Sequence, residues 1–242
     1  MFKTPENTFV QAVTTEQMRE IDRTAVEETG PNLYQMMENA GRNTALLAME
    51  KLEDKKDQKV IVMAGKGGNG GGGICAGRHL ANHGFNVTVC LPEPNQLKDV
   101  TRYQLEILRY TDARILIQQL LPESEKHGLI IDAVLGYSLK SAPRGFASDC
   151  IKWIMNHNNS PVLSLDLPSG IDADSGSHPG VYVMPDYTLT LALPKHGLSR
   201  CDCGELFLGD IGIPPKVYER AGISVGTVFN GNFIVKLKKD SN

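Results

Sequence analysis

Apolar residues in this chain fall into short unbroken runs, separated by stretches in which they recur at helical spacing. The run Lys59-Val60-Ile61-Val62-Met63-Ala64 predicts a strand buried on both faces, and comparable runs lie at 86–91, 113–117, 129–133, 162–166 and 187–193. Helical patterns over 101–110 and 148–156 stand between them. Upstream, Thr14-Thr15-Glu16-Gln17 reads as a capping box that opens a helix through Ala25, and Asn32-Leu33-Tyr34-Gln35 repeats that logic. In the second helix Leu33, Met36, Met37, Ala40 and Leu47 keep one face, the signature of a core or dimer surface. The alternation predicts a mainly parallel sheet with helices on both faces. No internal repeat, low-complexity linker or boundary breaks it, so 1–242 is read as a single domain.

Composition narrows the class without changing it. A chain of 242 residues with 41% hydrophobic and 22% charged content suits one α/β domain with an ordinary soluble surface. Its net charge of −3 offers no electrostatic footprint for nucleic acid. Five cysteines leave one over from complete pairing, and Cys75 and Cys90 fall inside helix and strand patterns, which favours a reducing compartment. Cys201-Asp202-Cys203 lacks a second cysteine pair or metal-spaced histidines and reads as a loop. No apolar stretch approaches the ~20 residues that span a bilayer, and the N-terminus lacks the apolar core of a signal peptide. A cytoplasmic protein is expected.

The densest signal is Gly65-Lys66-Gly67-Gly68-Asn69-Gly70-Gly71-Gly72-Gly73, seven glycines in nine residues after the strand at 59–64. It reads as a loop, with a helix starting at Ile74. Each glycine forgoes roughly 0.5–1 kcal/mol relative to alanine, so such a run belongs where something approaches the backbone closely. Strand, glycine loop and helix make the outline of an anion site, with free N–H groups and the positive helix end facing the loop. Lys66 comes too early for a Walker A loop. Gly65, Gly67 and Gly70 satisfy G-x-G-x-x-G, with Glu93 as a loose candidate for a ribose-binding acid. A flexible connector is the bland alternative.

Ligands of an open parallel sheet bind beyond the carboxyl ends of its strands. Four segments end apolar runs with polar residues: the glycine loop with Asn69, Asp132-Ala133-Val134-Leu135-Gly136-Tyr137-Ser138, Leu165-Asp166-Leu167-Pro168-Ser169-Gly170, and Leu193-Pro194-Lys195-His196-Gly197. Capping for Asp132 and Asp166, and simple solvation for Lys195, are the competing readings.

In order along the chain, these segments resemble the YjeF N-terminal domain, the family of NAD(P)H-hydrate epimerases. The likeness runs from Met18-Arg19-Glu20-Ile21-Asp22 and Leu33-Tyr34-Gln35-Met36-Met37-Glu38-Asn39-Ala40-Gly41 to Leu206-Phe207-Leu208-Gly209-Asp210-Ile211-Gly212-Ile213-Pro214. The resemblance implies a Rossmann-like three-layer α/β/α sandwich that interconverts the R and S forms of hydrated NADH and NADPH (NADHX and NADPHX). It implies a potassium ion held by Asn69, Asp132 and Ser169, whose amide, carboxylate and hydroxyl are hard oxygen ligands. Substrate contacts would fall on Gly68, Asn69, Gly70, Gly71, Gly72, on Gly136, Tyr137, Ser138, Leu139, Lys140, Ser141, Ala142, and on Asp166. Lys140 and Arg144 are further candidates for the pyrophosphate, on charge and place alone.

The chemistry expected of such a site needs one proton-exchanging group. The hydroxyl-bearing carbon lies beside the ring nitrogen, so protonation releases water as an iminium ion forms, and water can return to either face. Asp166 is the expected general acid/base, with Lys195 as its electrostatic partner. The family's loop carries an asparagine where this chain has Gly68 and an aspartate where it has Gly72. That departure keeps open a catalytically weak or inactive ligand-binding or protein-interaction module; an ordinary NAD-dependent dehydrogenase lacks a second substrate domain here. A homodimer, and a separate dehydratase acting on the S hydrate, complete the expectations.

Overall fold

The fold was obtained as a computed structural model, which describes residues 1–53, 55–122, 126–157, 159–226 and 228–239. Two short strands, β1 (Phe2–Lys3) and β2 (Phe9–Val10), precede helices α1 (Thr15–Thr24) and α2 (Leu33–Lys51). Then come β3 (Lys59–Ala64), α3 (Gly68–Asn82), β4 (Asn86–Leu91), α4 (Asp99–Leu108), β5 (Arg114–Ile117), β6 (Leu129–Ala133) and α5 (Gly145–Asn156). The chain continues through β7 (Val162–Leu165), β8 (Tyr187–Leu191), β9 (Glu205–Gly209), α6 (Pro215–Arg220) and β10 (Ile234–Lys239).

These strands form one 10-stranded sheet in the order β2-β1-β10-β9-β8-β7-β6-β3-β4-β5. Every pairing from β9 across to β5 is parallel, and the β10, β1 and β2 margin is antiparallel. After β3 the chain moves outward to β4 and β5, then returns to β6 on the other side of β3. Neighbouring connections therefore diverge between β3 and β6, the place beyond whose carboxyl ends an open parallel sheet forms its ligand crevice.

Alternation along β3 sorts the layers. Val60, Val62 and Ala64 pack with Leu47 of α2, Ile74 of α3 and Leu105 of α4, whereas Ile61 and Met63 pack with Cys150, Ile151 and Trp153 of α5. Leu206 and Leu208 of β9 share a third cluster with Met18 and Ile21 of α1 and Val217 of α6. The result is the expected mainly parallel α/β/α sandwich. Burying each such aliphatic side chain contributes about 1.5–3 kcal/mol.

Both expected capping boxes form. Thr14 Oγ1 accepts from the Gln17 N–H at 3.2 Å while Gln17 Oε1 accepts from the Thr14 N–H at 2.9 Å; Asn32 and Gln35 do the same at 3.0 and 2.9 Å. α1 gives way to a wider π-helical turn over Ala25–Thr29. Two strands stop short of their expected ends, at Leu165 and Leu191, for reasons that belong to the site. In the antiparallel margin β1 and β2, two residues each, carry no pattern, and the six-residue β10 was not among the expected strands. The segment that leaves β9 is joined to α2 by amides: Asn43 Nδ2 donates to Asp210 O at 2.7 Å and Asn39 Nδ2 to Ile211 O at 3.1 Å.

The glycine segment departs most from expectation. Only 65–67 is loop; α3 starts at Gly68, six residues before the expected Ile74. None of its glycines takes a positive φ. Close packing of helix on sheet explains the composition instead. A Cβ on Gly70 would overlap the Gly65 carbonyl, one on Gly71 the Met37 thioether, and one on Gly73 the Ala133 side chain. Glycine therefore draws α3 down onto β3 and β6, at about 1 kcal/mol of helix propensity per residue.

Gly68, with no neighbour within 4 Å of a Cβ position, lacks that constraint. Gly68→Ala should leave stability unchanged or raise it by up to about 1 kcal/mol, while Gly70→Ala should lower it by about 1–3 kcal/mol. Urea-denaturation midpoints of the two variants check this; equal losses at both would remove packing as the reason for the glycines.

Candidate active site

Two strand ends carry the site's charges. At the end of β7, Asp166 has φ 69° while the Leu167 N–H donates to Leu165 O at 2.9 Å. At the end of β8, Ala192 has φ 62° while the Leu193 N–H donates to Leu191 O at 2.7 Å. Both are tight three-residue turns in the left-handed region, costing of order 1–3 kcal/mol each. They end the two strands early and swing the chain outward while the ladder persists: the Asp166 N–H donates to Leu189 O and the Ala192 N–H to Gly209 O.

The turns bring Asp166 and Lys195 together. Lys195 is 1% exposed and Asp166 4%. Lys195 Nζ pairs with Asp166 Oδ1 and also donates to Leu191 O at 2.9 Å. Solvation is thus not the explanation of Lys195. The lysine backbone is held by the segment before α1, where the Val13 N–H donates to Pro194 O and the His196 N–H to Val13 O. Asp166 Oδ2 accepts from the Tyr137 N–H at 3.2 Å, which ties it to the loop after β6. A Cβ on Gly136 would stand 3.1 Å from that Oδ2 and 3.4 Å from Asn69 Cγ. Asn69, Gly136 and Asp166 therefore meet at one point, from three strand ends.

Asp132 lies deeper and is fully buried, at the end of β6. Its Oδ1 accepts from Ser169 Oγ at 2.5 Å and the Val134 N–H at 3.3 Å; its Oδ2 accepts from Ser164 Oγ at 2.8 Å and the Ser169 N–H at 2.9 Å. Burial pushes the Asp132 carboxyl above the usual range, against the opposing pull of these bonds, the Ser169 hydroxyl first. Ser169 Oγ also lies 3.2 Å from Leu135 O. A carboxylate, a hydroxyl and a carbonyl thus share one cluster, a donor set of the hard type that suits an alkali cation. Asn69 Nδ2 is buried without a hydrogen-bond partner. Turning that amide over would offer an oxygen in its place.

The other expected residues divide by exposure. Gly68, Ser138, Lys140, Ser141 and Arg144 are exposed, and Asn69, Gly136, Tyr137, Leu139 and Ala142 are half-buried. Gly70, Gly71 and Gly72 are buried within α3, so the accessible edge of the glycine segment runs from Lys66 to Asn69. Glu93 is exposed beyond β4. At Gly72 a Cβ would meet Leu165 Cδ2 at 2.9 Å and Ala40 Cβ at 3.9 Å. The space an aspartate would need there is filled by leucine.

Asp22 of α1 escaped the strand-end argument because it lies on a helix. Its Oδ2 accepts from the Tyr137 hydroxyl at 2.6 Å. Glu38, Cys75 and His79 also cluster tightly enough for a metal. Arg78 Nη2 already donates to both Glu38 oxygens, at 2.7 and 2.6 Å, and burial pushes the Cys75 thiol up to about 12, so the three groups are held as a hydrogen-bonded cluster around Arg78.

Comparison with known proteins finds relatives over nearly the whole chain. A family model described as YjeF-related protein N-terminus matches residues 33–197. A protein of Dehalogenimonas lykanthroporepellens named NAD(P)H-hydrate epimerase is 51% identical over 98% of this chain and 96% of its own. A protein of Salinibacter ruber named bifunctional NAD(P)H-hydrate repair enzyme Nnr is 34% identical over 87% of this chain, which spans 42% of that longer protein. The crystal structure of the yeast protein ynu0 superposes with a TM-score of 0.82 at 25% identity, covering 94% of this chain and all of that one. On the residues matched and the identity across nearly the whole length, the chain belongs to the YjeF-related protein N-terminus family.

Proposed function

We propose that this chain is an isomerase that interconverts the R and S epimers of hydrated NADH and NADPH, a repair reaction on damaged nicotinamide cofactor. The observation that carries the reading is the near full-length similarity to the Dehalogenimonas protein of that name. The site supplies chemistry that suits it.

Asp166 and Lys195 are assigned as the proton-exchanging pair. Asp166 Oδ1 is engaged by Lys195, which leaves Oδ2, beside Gly136, as the oxygen that faces the crevice. From there Asp166, having first taken up a proton from water on Oδ2 while Oδ1 stays paired with Lys195, delivers it to the departing hydroxyl, which leaves as water while the ring nitrogen lone pair forms the iminium double bond. The resulting carboxylate stabilises the cationic ring, and it takes the proton back when water adds to either face. Lys195 balances that carboxylate and holds its plane. The N–H groups at the exposed start of α3, at Gly68 and Asn69, together with Lys140 and Arg144, suit the pyrophosphate. Gly136, Tyr137, Ser138, Leu139, Ser141 and Ala142 line the other wall.

Asn69, Asp132 and Ser169 are assigned to a potassium ion, supported by the oxygen cluster and the unpartnered Asn69 amide. When bound, the ion supplies a fixed positive charge that orders the oxygens around it. Dehydration of the S hydrate is assigned to a protein or domain outside this chain, since the chain spans 42% and 39% of two bifunctional relatives. A homodimer in the cytoplasm completes the reading; no helix among the described residues is long and apolar enough to cross a membrane. Burial of Asp166 and Lys195 and the overall similarity favour turnover over a pure binding module.

Purified protein incubated with the R hydrate should equilibrate the epimers well above the spontaneous rate, read by chromatographic separation; a background rate with folded protein ends the epimerase reading. Asp166→Asn should lower kcat by roughly 10²-fold or more with little change in KM. Near-normal turnover in that variant would take Asp166 out of the proton-transfer role. Replacing potassium by tetramethylammonium should slow the wild type, and Asp132→Ala should abolish that salt dependence while also lowering the melting temperature. Identical rates in the two salts would remove the cation from the assignment.

A further inference from the structure

One residue touches both members of the buried pair. The Tyr137 N–H donates to Asp166 Oδ2 at 3.2 Å, and its ring centroid lies 5.8 Å from Lys195 Nζ. Tyr137 stands in the irregular segment between β6 and α5, where no strand or helix fixes its orientation. Its anchor is remote in sequence: the phenol donates to Asp22 Oδ2 at 2.6 Å, joining α1 to the loop after β6. We propose that Asp22 and Tyr137 are a positioning pair, with Asp22 clamping the phenol so that the Tyr137 backbone and ring fix the orientation of Asp166 and Lys195. The inference rests on the epimerase reading.

The chemistry of the pair suits a clamp. Burial pushes the Asp22 carboxyl up, and the Tyr137 hydrogen bond and the Lys195 charge oppose that rise. Burial first, and then Asp22, push the Tyr137 phenol well above its usual range, so it stays a donor throughout the working pH range. A hydrogen bond to a charged, partly desolvated acceptor is about twice as strong as a neutral one. Misplacing a reacting group by an ångström can lower a rate about 10²-fold, so a clamp two contacts from the substrate can govern turnover.

The test is steady-state epimerisation of the R hydrate by the intact chain, with thermal melting of each variant. Tyr137→Phe and Asp22→Leu should each lower kcat about 10-fold and leave KM within about twofold. The double variant should be no slower than either single, because both break one contact. Asp22→Asn, which keeps an oxygen acceptor for the phenol, should recover most of the loss. Should Asp22→Leu fail to fold, Tyr137→Phe against Asp22→Asn gives the same decision. Wild-type kcat in Tyr137→Phe, or losses that multiply in the double variant, would overturn the positioning pair alone. A folded but inactive wild type would instead remove the epimerase reading, and this inference with it.

Discussion

A lysine buried to 1% exposure requires a counter-charge, and Asp166 supplies it. Removing one partner of such a pair leaves an uncompensated buried charge, at about 3–5 kcal/mol. Much of the surrounding backbone is arranged to make this contact. Left-handed turns at the ends of β7 and β8 aim the two segments at each other, and Val13, in the segment before α1, pins Pro194 and His196 on either side of the lysine. The sheet order matters too: β7 and β8 are parallel neighbours, so their ends stand side by side on the face where the crevice opens. Strain of order 1–3 kcal/mol per turn is tolerable only because the ladder continues through both.

The crevice depends on a second constraint, the closeness of α3 to the sheet. Gly73 removes the side chain that would hold the helix off Ala133 and Val62 of the sheet, Gly71 the one that would hold it off Met37 of α2, and Gly70 the one that would strike the Gly65 carbonyl at the helix entry. The same glycines let α3 begin at Gly68, close to the strand end, so its free N–H groups face the switch point between β3 and β6. Gly72 fits this scheme through Leu165, whose side chain occupies the neighbouring space. A carboxylate at 72 would have to displace leucine and enter apolar packing, which makes the pairing of glycine with leucine internally consistent.

The layers and most elements were legible in the sequence because buried parallel strands leave unbroken apolar runs and capping boxes leave a four-residue signature. β4 and β6 fall at the expected residues. β1 and β2 were not legible, since two-residue strands carry no period and their pairing is set by tertiary contacts; β9 and β10, at five and six residues, were also not among the expected runs. Reading the glycine run as loop followed from propensity alone; close packing overrode propensity, and nothing local in the sequence announces what a helix will be pressed against. At the site, the strand-end rule selected the residues that converge, Asn69, Gly136 and Asp166 among them. It could not select Asp22, which reaches the site from a helix face 115 residues away from Tyr137. Nor could it reveal the φ of Asp166, since a lone aspartate before Leu-Pro gives no sign of a left-handed turn.

Asp132 and Asp166, both at strand ends, are built for different work. Asp132 has all its bonds spent on Ser164, Ser169 and Val134, which stitches β6 to β7 and to the turn beyond it. Asp166 has one oxygen committed to Lys195 and the other facing Gly136, where a missing side chain leaves room. The two tiers share their connections, because the turn from Asp166 to Ser169 and the loop from Val134 to Tyr137 each touch both carboxylates. Any change in the order of the Asp132 cluster is therefore felt at Asp166 through two short covalent paths. The Asp132 cluster and the Asp166–Lys195 pair are thus joined by two short connections, although no hydrogen bond links the two aspartates directly.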